Sequence, residues 1–383
     1  MTELNFEVSA GKRPVSFCPV SVEVEESAED LKERALIDQQ RGTPIPFQVE
    51  DMGEDGARVH WIIDRMAAGQ KREFTVSARH APVDGPVVAV QDEGDRMRVK
   101  AGGEILTNYH YGDQVPRPCL YPVIGPYGDG VTRAYPMEIV EDDHTDHPHH
   151  RSVWSAWGDV NGSDNWSEED HAGTVEHSGF RSYGGGHVYG WIESANDWLD
   201  VEGQKLMEDR MVWRFYNLPG GSRLMELEIE FLASEGDVLF GDTKEGGICS
   251  VRVSAPMEVD RGGRIENGYG GIDEPETWGK RAPWCDYSGI VNGNRVGISV
   301  FDHPDNLRYP TYWHVRNYGL MTANPFGLSY FLDSENADGS YTLPEGESLE
   351  FRYAIYIHAG DAGEGEVGSR YLDWIYPPGI EVQ

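Results

Sequence analysis

The chain has 383 residues, more than a single hydrophobic core usually serves, so one small and one large domain are expected. It carries 66 acidic against 32 basic residues, a net charge of −34, which excludes nucleic acid as a partner because phosphate binding requires a basic face. Only seven of the basic residues are lysine. So acidic a surface is typical of adaptation to high salt (a halophilic protein), where ionic strength screens the self-repulsion.

The four cysteines, Cys18, Cys119, Cys249 and Cys285, lie far apart and form no CxxC pair. The sequence therefore predicts buried free thiols rather than a disulfide framework or a zinc ribbon. The N-terminus has no basic segment followed by an apolar one, and no window approaches the roughly 18 apolar residues that span a bilayer. A soluble, cytoplasmic protein with no membrane partner is expected.

Residues 1–85 are predicted to form a small immunoglobulin-like β domain. Val20, Val22 and Val24 alternate with polar residues, as one face of a strand requires. The segment Ser27–Leu36 opens like a capping box and predicts a short helix.

Residues 86–383 are predicted to form a large antiparallel β-sandwich that carries the functional site. Leu227, Ile229 and Phe231 alternate with glutamates, which is the pattern of a strand with one wet face. The 46 glycines and 22 prolines supply turns between many short strands, while the 11 Trp, 19 Tyr and 12 Phe favour pleated surfaces. Residues 364–376 predict a C-terminal helix that ends before a Pro-Pro pair.

The window with the most titratable chemistry is 142–151, where four of the thirteen histidines fall within seven residues. Pro148 does not continue a helix, so a loop or strand edge is predicted. In an extended run, His147 and His149 share one face and His150 lies on the other. Such a run can supply metal ligands, general acids and bases, or hydrogen bonds to a polar ligand, and spacing alone does not decide between them.

The loops of the large domain combine tryptophan with Asp, Asn, His and Arg. The apolar face of a sugar ring packs on an aromatic ring while its hydroxyls need polar partners. We therefore expect these loops to share a polar cleft for a small-molecule or oligosaccharide substrate. The predicted substrate-binding residues are His147, Arg151, Trp157, Asn161, Lys244, Trp284, Asp286, Trp313, Arg316 and Asn324.

The first functional hypothesis is a carbohydrate-active enzyme, a glycoside hydrolase, lyase or epimerase, that uses acid–base chemistry on a sugar or sugar acid. Its predicted catalytic residues are His149, His150, Asp242, Glu245 and His314. Within this set, His149 and His150 exchange the proton, one of the two acids is their partner, and His314 orients the substrate.

Two alternatives stay open. In the first, the protein is a metal-dependent enzyme, including an oxygenase, whose histidines share a divalent metal with Asp146 or Asp242 in a mixed nitrogen and oxygen shell. In the second, the sandwich binds sugars without catalysis. A purely structural role is also compatible with these residues. The histidines could form hydrogen bonds in a loop that holds strand ends together, and Asp242 and Lys244 could form a surface ion pair that contributes little to stability.

Ordered motifs across residues 105–357 resemble the bacterial and archaeal PmoA family. They are Tyr121–Val123, Gly125–Pro126, Val131–Arg133, His147–Ser152, Gly158–Gly162, Gly241–Gly247, Trp284–Gly289, Phe301–Pro304 and Trp313–Arg316. The resemblance implies a galactose-mutarotase-like supersandwich, the fold of aldose epimerases, polysaccharide lyases and some glycosidases. The His-Pro-His-His run is similar to the epimerase motif in which one histidine protonates the ring oxygen and another binds the sugar, places that His150 or His149 would hold. No late glutamate matches the epimerase base.

Overall fold

A computed structural model of the protein describes residues 3–79, 83, 87–141, 143–334 and 336–383. The described chain is mainly β, and its neighbouring strands pair antiparallel in several large sheets, which confirms the predicted fold class. No helix within the described ranges is long and apolar enough to cross a membrane.

The strands, in chain order, are β1 Leu4–Ser9, β2 Val15–Val24, β3 Ala35–Asp38, β4 Thr43–Ile45, β5 Phe47–Asp51, β6 Ala57–Met66, β7 Lys71–Ser77, β8 Val88–Asp92, β9 Arg96–Ala101, β10 Glu104–His110, β11 Cys119–Val123, β12 Val153–Trp157, β13 Thr174–Gly184, β14 Tyr189–Leu199, β15 Lys205–Tyr216, β16 Arg223–Leu232, β17 Val238–Phe240, β18 Gly246–Arg252, β19 Arg264–Asn267, β20 Trp284–Val291, β21 Asn294–Asp302, β22 Tyr312–Val315, β23 Leu320–Asn324, β24 Tyr341–Leu343, β25 Ser348–Ala359 and β26 Gly379–Val382. The α-helices are α1 Ala28–Lys32, α2 Asp273–Thr277, α3 Leu328–Phe331 and α4 Val367–Ile375, and 3-10 turns lie at Gly53–Asp55, Pro219–Gly221, Ala255–Met257 and Val259–Arg261.

The N-terminal strands form two small sheets, ordered β26-β1-β7-β3-β4 and β2-β6-β5. Their buried side chains make a separate core in which the rings of Phe6 and Trp61 stack at 5.8 Å. The last strand of the chain belongs here, since Phe6 pairs with Val382. The predicted boundary at residues 85 and 86 lies outside the described residues. We propose that the small domain also includes β26.

The short helix predicted near Ser27 is present but ends early. The Ser27 hydroxyl accepts a hydrogen bond from the backbone N–H of Asp30 at 3.3 Å, as expected of an N-cap. α1 stops at Lys32 because Ala35–Asp38 is buried along its whole length as β3. The predicted C-terminal helix is confirmed as α4, which ends two residues before the Pro-Pro pair.

The chain also forms two large sheets of eight strands each. The first sheet has the order β22-β23-β18-β12-β11-β10-β9-β8, and the second sheet has the order β13-β14-β15-β16-β25-β21-β20-β19. Val251 and Ala323 of the first sheet share one fully buried hydrophobic core with Ile229 and Ile355 of the second. The two sheets therefore form a sandwich, and each has an outer face that turns away from this core.

Candidate functional site

The outer face of the first sheet carries a row of polar and aromatic side chains. Trp154 lies opposite Ser250, Ser250 opposite Thr322, and Thr322 opposite His314. Directly paired residues on neighbouring strands share a face, so four strands bring these side chains side by side. The Ser250 and Thr322 hydroxyl oxygens lie 2.7 Å apart, which ties the middle of the row together.

The histidine loop lies beside Trp154 of this row. Its chain turns at His147, where φ is +45°, and the His150 N–H donates to the His147 carbonyl at 3.0 Å. The His147 ring consequently stacks on His150 with centroids 4.8 Å apart, and His149 packs edge-on against His150 at 4.5 Å. The predicted extended run, with His150 on the opposite face, is wrong because the turn gathers the three imidazoles into one cluster.

Arg133 fixes the backbone of this loop from below. Its fully buried guanidinium donates to the carbonyls of Asp146 at 2.9 Å, His147 at 2.7 Å and His150 at 3.3 Å. The same guanidinium also donates to the Asp146 carboxylate at 2.8 Å. Charge-assisted bonds to several carbonyls hold a loop in one conformation, so the histidines are positioned in advance.

Arg252 determines the protonation of His150. Its Nη1 donates to His150 Nδ1 at 3.1 Å, and a guanidinium is always a donor. His150 Nδ1 is therefore unprotonated, and the ring carries its hydrogen on Nε2. Burial and the nearby His149 and Arg252 lower the pKa of His150 well below its usual range. His150 is thus a neutral hydrogen-bond donor, not a proton acceptor at Nδ1.

Aromatic side chains enclose the cluster. The His150 ring stacks on Trp154 at 5.4 Å and meets Trp166 edge-on at 5.6 Å. Tyr318 stacks on His147 at 5.2 Å, with the Arg252 guanidinium 4.7 Å from its ring centroid. Trp154 and Trp166 are buried and shield the imidazoles from water, while Tyr318 is half-buried.

His314 presents the opposite tautomer. Its Nδ1 donates to the Lys244 carbonyl at 2.6 Å, which leaves the Nε2 lone pair as an acceptor. Burial lowers the pKa of His314 to about 4, although the bond to Lys244 and the Glu245 charge act against it. His149 has a pKa of about 4 as well, through burial and the charge of Arg117. Both imidazoles are therefore neutral bases at neutral pH.

Glu245 follows Lys244, whose carbonyl binds His314, and its charge acts on both histidines. Burial raises its pKa, but its hydrogen bond to the Lys244 ammonium and the nearby His314 and His149 lower it below the ordinary value. Glu245 is thus ionised and electrostatically coupled to an imidazole from each half of the sequence. Two of the predicted catalytic histidines therefore interact electrostatically with the predicted carboxylate.

Asn324 holds this carboxylate in place from behind. Its side-chain amide donates to the carbonyls of Lys244 at 3.2 Å and Gly246 at 3.1 Å, and its oxygen accepts from the Gly327 N–H at 2.8 Å. Asn324 is fully buried. The predicted substrate-binding residue therefore has all its polar atoms engaged in positioning the Lys244–Gly246 segment.

Two predicted tryptophans lie in the core instead of the cleft. Trp157 and Trp313 are fully buried between the sheets, where their Nε1 atoms donate to the carbonyls of Gly241 at 3.0 Å and Ala282 at 2.9 Å. Asn161 sits in an exposed turn with φ +53°. The substrate-binding assignments of the two tryptophans are therefore wrong, whereas that of Asn161 stays a prediction.

Trp284 and Asp286 belong to β20 of the second sheet, not to the histidine cluster. Trp284 is half-buried against the apolar residues around α4. Asp286 is fully buried and accepts from Ser299 Oγ at 2.6 Å and pairs with His358 Nε2 at 2.9 Å. The sandwich core separates both residues from the outer face of the first sheet.

Asp242 and Arg151 are engaged within the protein. The Asp242 carboxylate accepts from the backbone N–H groups of Ser329 at 3.0 Å and Gly339 at 2.7 Å. Arg151 forms two bonds of 2.7 Å with Glu168. We therefore assign Asp242 to loop positioning and Arg151 to anchoring the histidine loop, in place of the roles predicted for them.

Several residues that line the site were not predicted from the sequence. They are Arg133, Trp154, Trp166, Ser250, Arg252, Tyr318 and Thr322. A usable signal was present in β18 and β23, where Ser250, Arg252 and Thr322 interrupt otherwise apolar strands at every second position. Polar residues at this period inside a buried strand indicate a face that serves something other than the core.

The mixed metal shell does not form. Within the described parts of the chain, no group of three or more His, Cys, Asp or Glu side chains is arranged to hold a metal ion. Asp146 is engaged by Arg133 and by His147, whose Nδ1 lies 2.7 Å from the carboxylate. The described residues thus form a cluster of imidazoles and carboxylates without a metal-binding arrangement.

The two lowered histidine pKa values predict a pH-dependent stability. His149 and His314 titrate at about 4 in the folded chain and near 6.5 when unfolded, so the unfolded chain binds more protons between these values. The free energy of unfolding is therefore expected to fall as the pH drops below about 6.5, by roughly 1–2 kcal/mol from His314 alone at about pH 5.2.

Urea denaturation at about pH 7 and about pH 5.2 checks this, and both conditions stay above the isoelectric point of about 4.6. His314→Gln should lose less stability than the wild type between the two conditions. Equal losses in both proteins would contradict the lowered pKa.

The fold and the site together define a class of protein. It is a mainly β sandwich that bears a cluster of histidines and a glutamate on the outer face of one sheet. The chain belongs to DUF6807, a family of unknown function, which it matches over residues 96–371. The predicted PmoA name is not confirmed by this match. No curated protein matches the chain.

Two solved structures are similar at low sequence identity. An α-mannosidase from Enterococcus faecalis V583 has 10% identity and a TM-score of 0.45, and the match covers 100% of this chain but 46% of the mannosidase. This chain thus spans about half the length of that protein. A GalM/aldose epimerase homologue from C. elegans has 7% identity and a TM-score of 0.29, with 73% of this chain and 100% of the homologue covered.

Proposed function

We propose that the protein is an enzyme that transfers a proton on a sugar or sugar acid, of the epimerase or lyase type. One observation carries the proposal: His149 and His314, both neutral bases, are coupled to the same ionised Glu245 on the outer face of the first sheet. Titratable groups whose pKa values are shifted by burial together with a specific charged neighbour are candidates for a functional site.

The groups present favour proton transfer over glycoside hydrolysis. Hydrolases of the usual kinds place two opposed carboxyl groups about the scissile bond. Here two imidazoles flank one carboxylate. Tyr318, which is half-buried beside His147, is the aromatic side chain proposed to contact the sugar ring.

Each residue has a role in this proposal. His314 Nε2 accepts the proton from the substrate, because its Nδ1 is held by the Lys244 carbonyl. Glu245 stabilises the imidazolium that forms, since its charge raises the proton affinity of His314. His150 donates a hydrogen bond from Nε2 to a substrate oxygen. His149 is the second base, and Lys244 neutralises Glu245 in the resting state.

Incubation with free sugars, uronic acids and oligosaccharides in deuterated water tests the proposal. We expect NMR to show exchange of a carbon-bound proton for deuterium, with a rate that stays flat between about pH 5 and pH 7 because neither histidine titrates there. A rate that falls through about pH 6.5 would contradict the assigned bases. Release of sugar without exchange would indicate a hydrolase, and binding without turnover a non-catalytic sandwich.

A further inference from the structure

A cavity lies at the edge of the first sheet, lined by two aromatic residues that pack against His314. β22 is the outermost strand of that sheet, and His314 and Arg316 lie two residues apart, so their side chains leave the same side. The cavity has a volume of about 420 Å³, and Glu274, Trp278, Arg316 and Phe331 are among the residues that line it. Cavities of this size commonly hold small ligands.

Two aromatic rings connect this cavity to the proposed base. Trp278 and Phe331 meet edge-to-face with centroids 5.6 Å apart. Each ring centroid lies 6.5 Å from that of His314. His314 therefore packs against two of the rings that line the cavity.

The cavity also has hydrogen-bond donors that the protein leaves unused. Trp278 Nε1 and Arg316 Nε are buried, and neither has a hydrogen-bond partner among the described residues. Both N–H groups are therefore able to donate to an acceptor bound in the cavity. Arg316 Nη1 is already paired with Glu274 at 2.9 Å, which leaves the Nε hydrogen for another acceptor.

These features fit one class of ligand. Aromatic faces suit the apolar face of a pyranose, unused donors suit hydroxyl oxygens, and a carboxylate accepts from hydroxyl hydrogens. Arg316 is paired with Glu274, and the exposed Lys280 leaves the lining with one net positive charge, so the cavity suits a hydroxyl-rich ring, either neutral or carrying a carboxylate.

We propose that this cavity is a second sugar subsite, so that the substrate is an oligosaccharide of at least two linked units. One unit reacts at His314 and the next packs against Trp278 and Phe331. The inference rests on the proposed function for the identity of the reacting unit, but the subsite itself requires only sugar binding.

Chain-length dependence of binding tests the proposal. Isothermal titration calorimetry with malto-, cello- and manno-oligosaccharides of one to four units should show, for at least one series, a roughly tenfold tighter Kd from one unit to two. Trp278→Ala should abolish that gain, and Trp278→Phe, which keeps an aromatic face but removes Nε1, should lose only part of it.

Trp191→Ala is the matched control, because Trp191 is half-buried on the second sheet and its Nε1 donates to Ser182 at 3.2 Å. It should keep the gain with length. An affinity that does not change from one unit to two, a gain that survives Trp278→Ala, or no binding of any series would each overturn the subsite.

Failure of the subsite and failure of the proposed function give different results. Length-dependent binding that needs Trp278, together with wild-type turnover in His314→Gln, would leave the subsite standing and remove the assigned base. Proton exchange that needs His314, with equal Kd values for one and two units, would support the assigned base and overturn the subsite.

Discussion

His314→Gln is expected to lower kcat by about 10²- to 10⁴-fold, the usual contribution of a positioned acid–base group. Glutamine is close in size and its amide can still donate to the Lys244 carbonyl, so the fold around Glu245 is retained. What is lost is the Nε2 lone pair that accepts the proton. Deuterium exchange measured at saturating substrate checks the prediction.

The matched control for this variant is His303→Gln. His303 is a half-buried histidine that follows β21 of the second sheet and packs against Trp374 at 5.2 Å. Its replacement should leave kcat within about twofold of the wild type, since surface substitutions of this kind act mainly on stability. Wild-type turnover in His314→Gln, with thermal melting confirming an intact fold, would remove His314 from the chemistry.

Arg252→Met is expected to lower the free energy of unfolding by about 3–5 kcal/mol, the usual consequence of removing one partner from a buried ion pair. The guanidinium is fully buried, and its Nη2 lies 3.3 Å from Asp146 and 3.6 Å from Glu258. Glu258 is only 2% exposed, so it would lose a neutralising charge in a place that water hardly reaches.

The same variant should also alter the histidine loop. His150 loses the donor that fixes its tautomer, and Tyr318 loses the cation 4.7 Å from its ring. Urea denaturation measures the stability, and limited proteolysis between residues 143 and 152 reports on the loop. We expect the free energy of unfolding to fall and cleavage within the loop to become faster in the same variant.

Arg352→Met provides the comparison for an arginine at the surface. Arg352 pairs with Glu350 at 2.8 Å, but the two side chains are 44% and 49% exposed. Exposed pairs contribute about 0–1 kcal/mol, so this variant should be nearly neutral. Similar losses in Arg252→Met and Arg352→Met would contradict the structural importance assigned to the buried pair.

Local patterns in the sequence determined the elements of the fold. The alternation of Leu227, Ile229 and Phe231 with glutamates predicted β16, because a strand repeats every two residues whatever surrounds it. Ser27 marked the start of α1, because an N-cap needs only a side-chain oxygen within three residues. Pro148 and four close histidines marked a functional loop by composition alone.

Only the tertiary structure decided which of two adjacent residues faces the site. Trp313 and His314 point to opposite sides of β22, and the sequence does not say which side the second sheet will cover. The same ambiguity places Trp157 in the core and Trp154 on the site face.

The partner of His150 was equally beyond a local pattern. Arg252 lies 102 residues along the chain and reaches His150 only because β18 pairs with β12 in the first sheet. The protonation of a buried imidazole depends on such contacts, since burial and neighbouring charges act through space and not along the sequence. Composition marked the histidines as a candidate site, and strand pairing determined their hydrogen-bond partners.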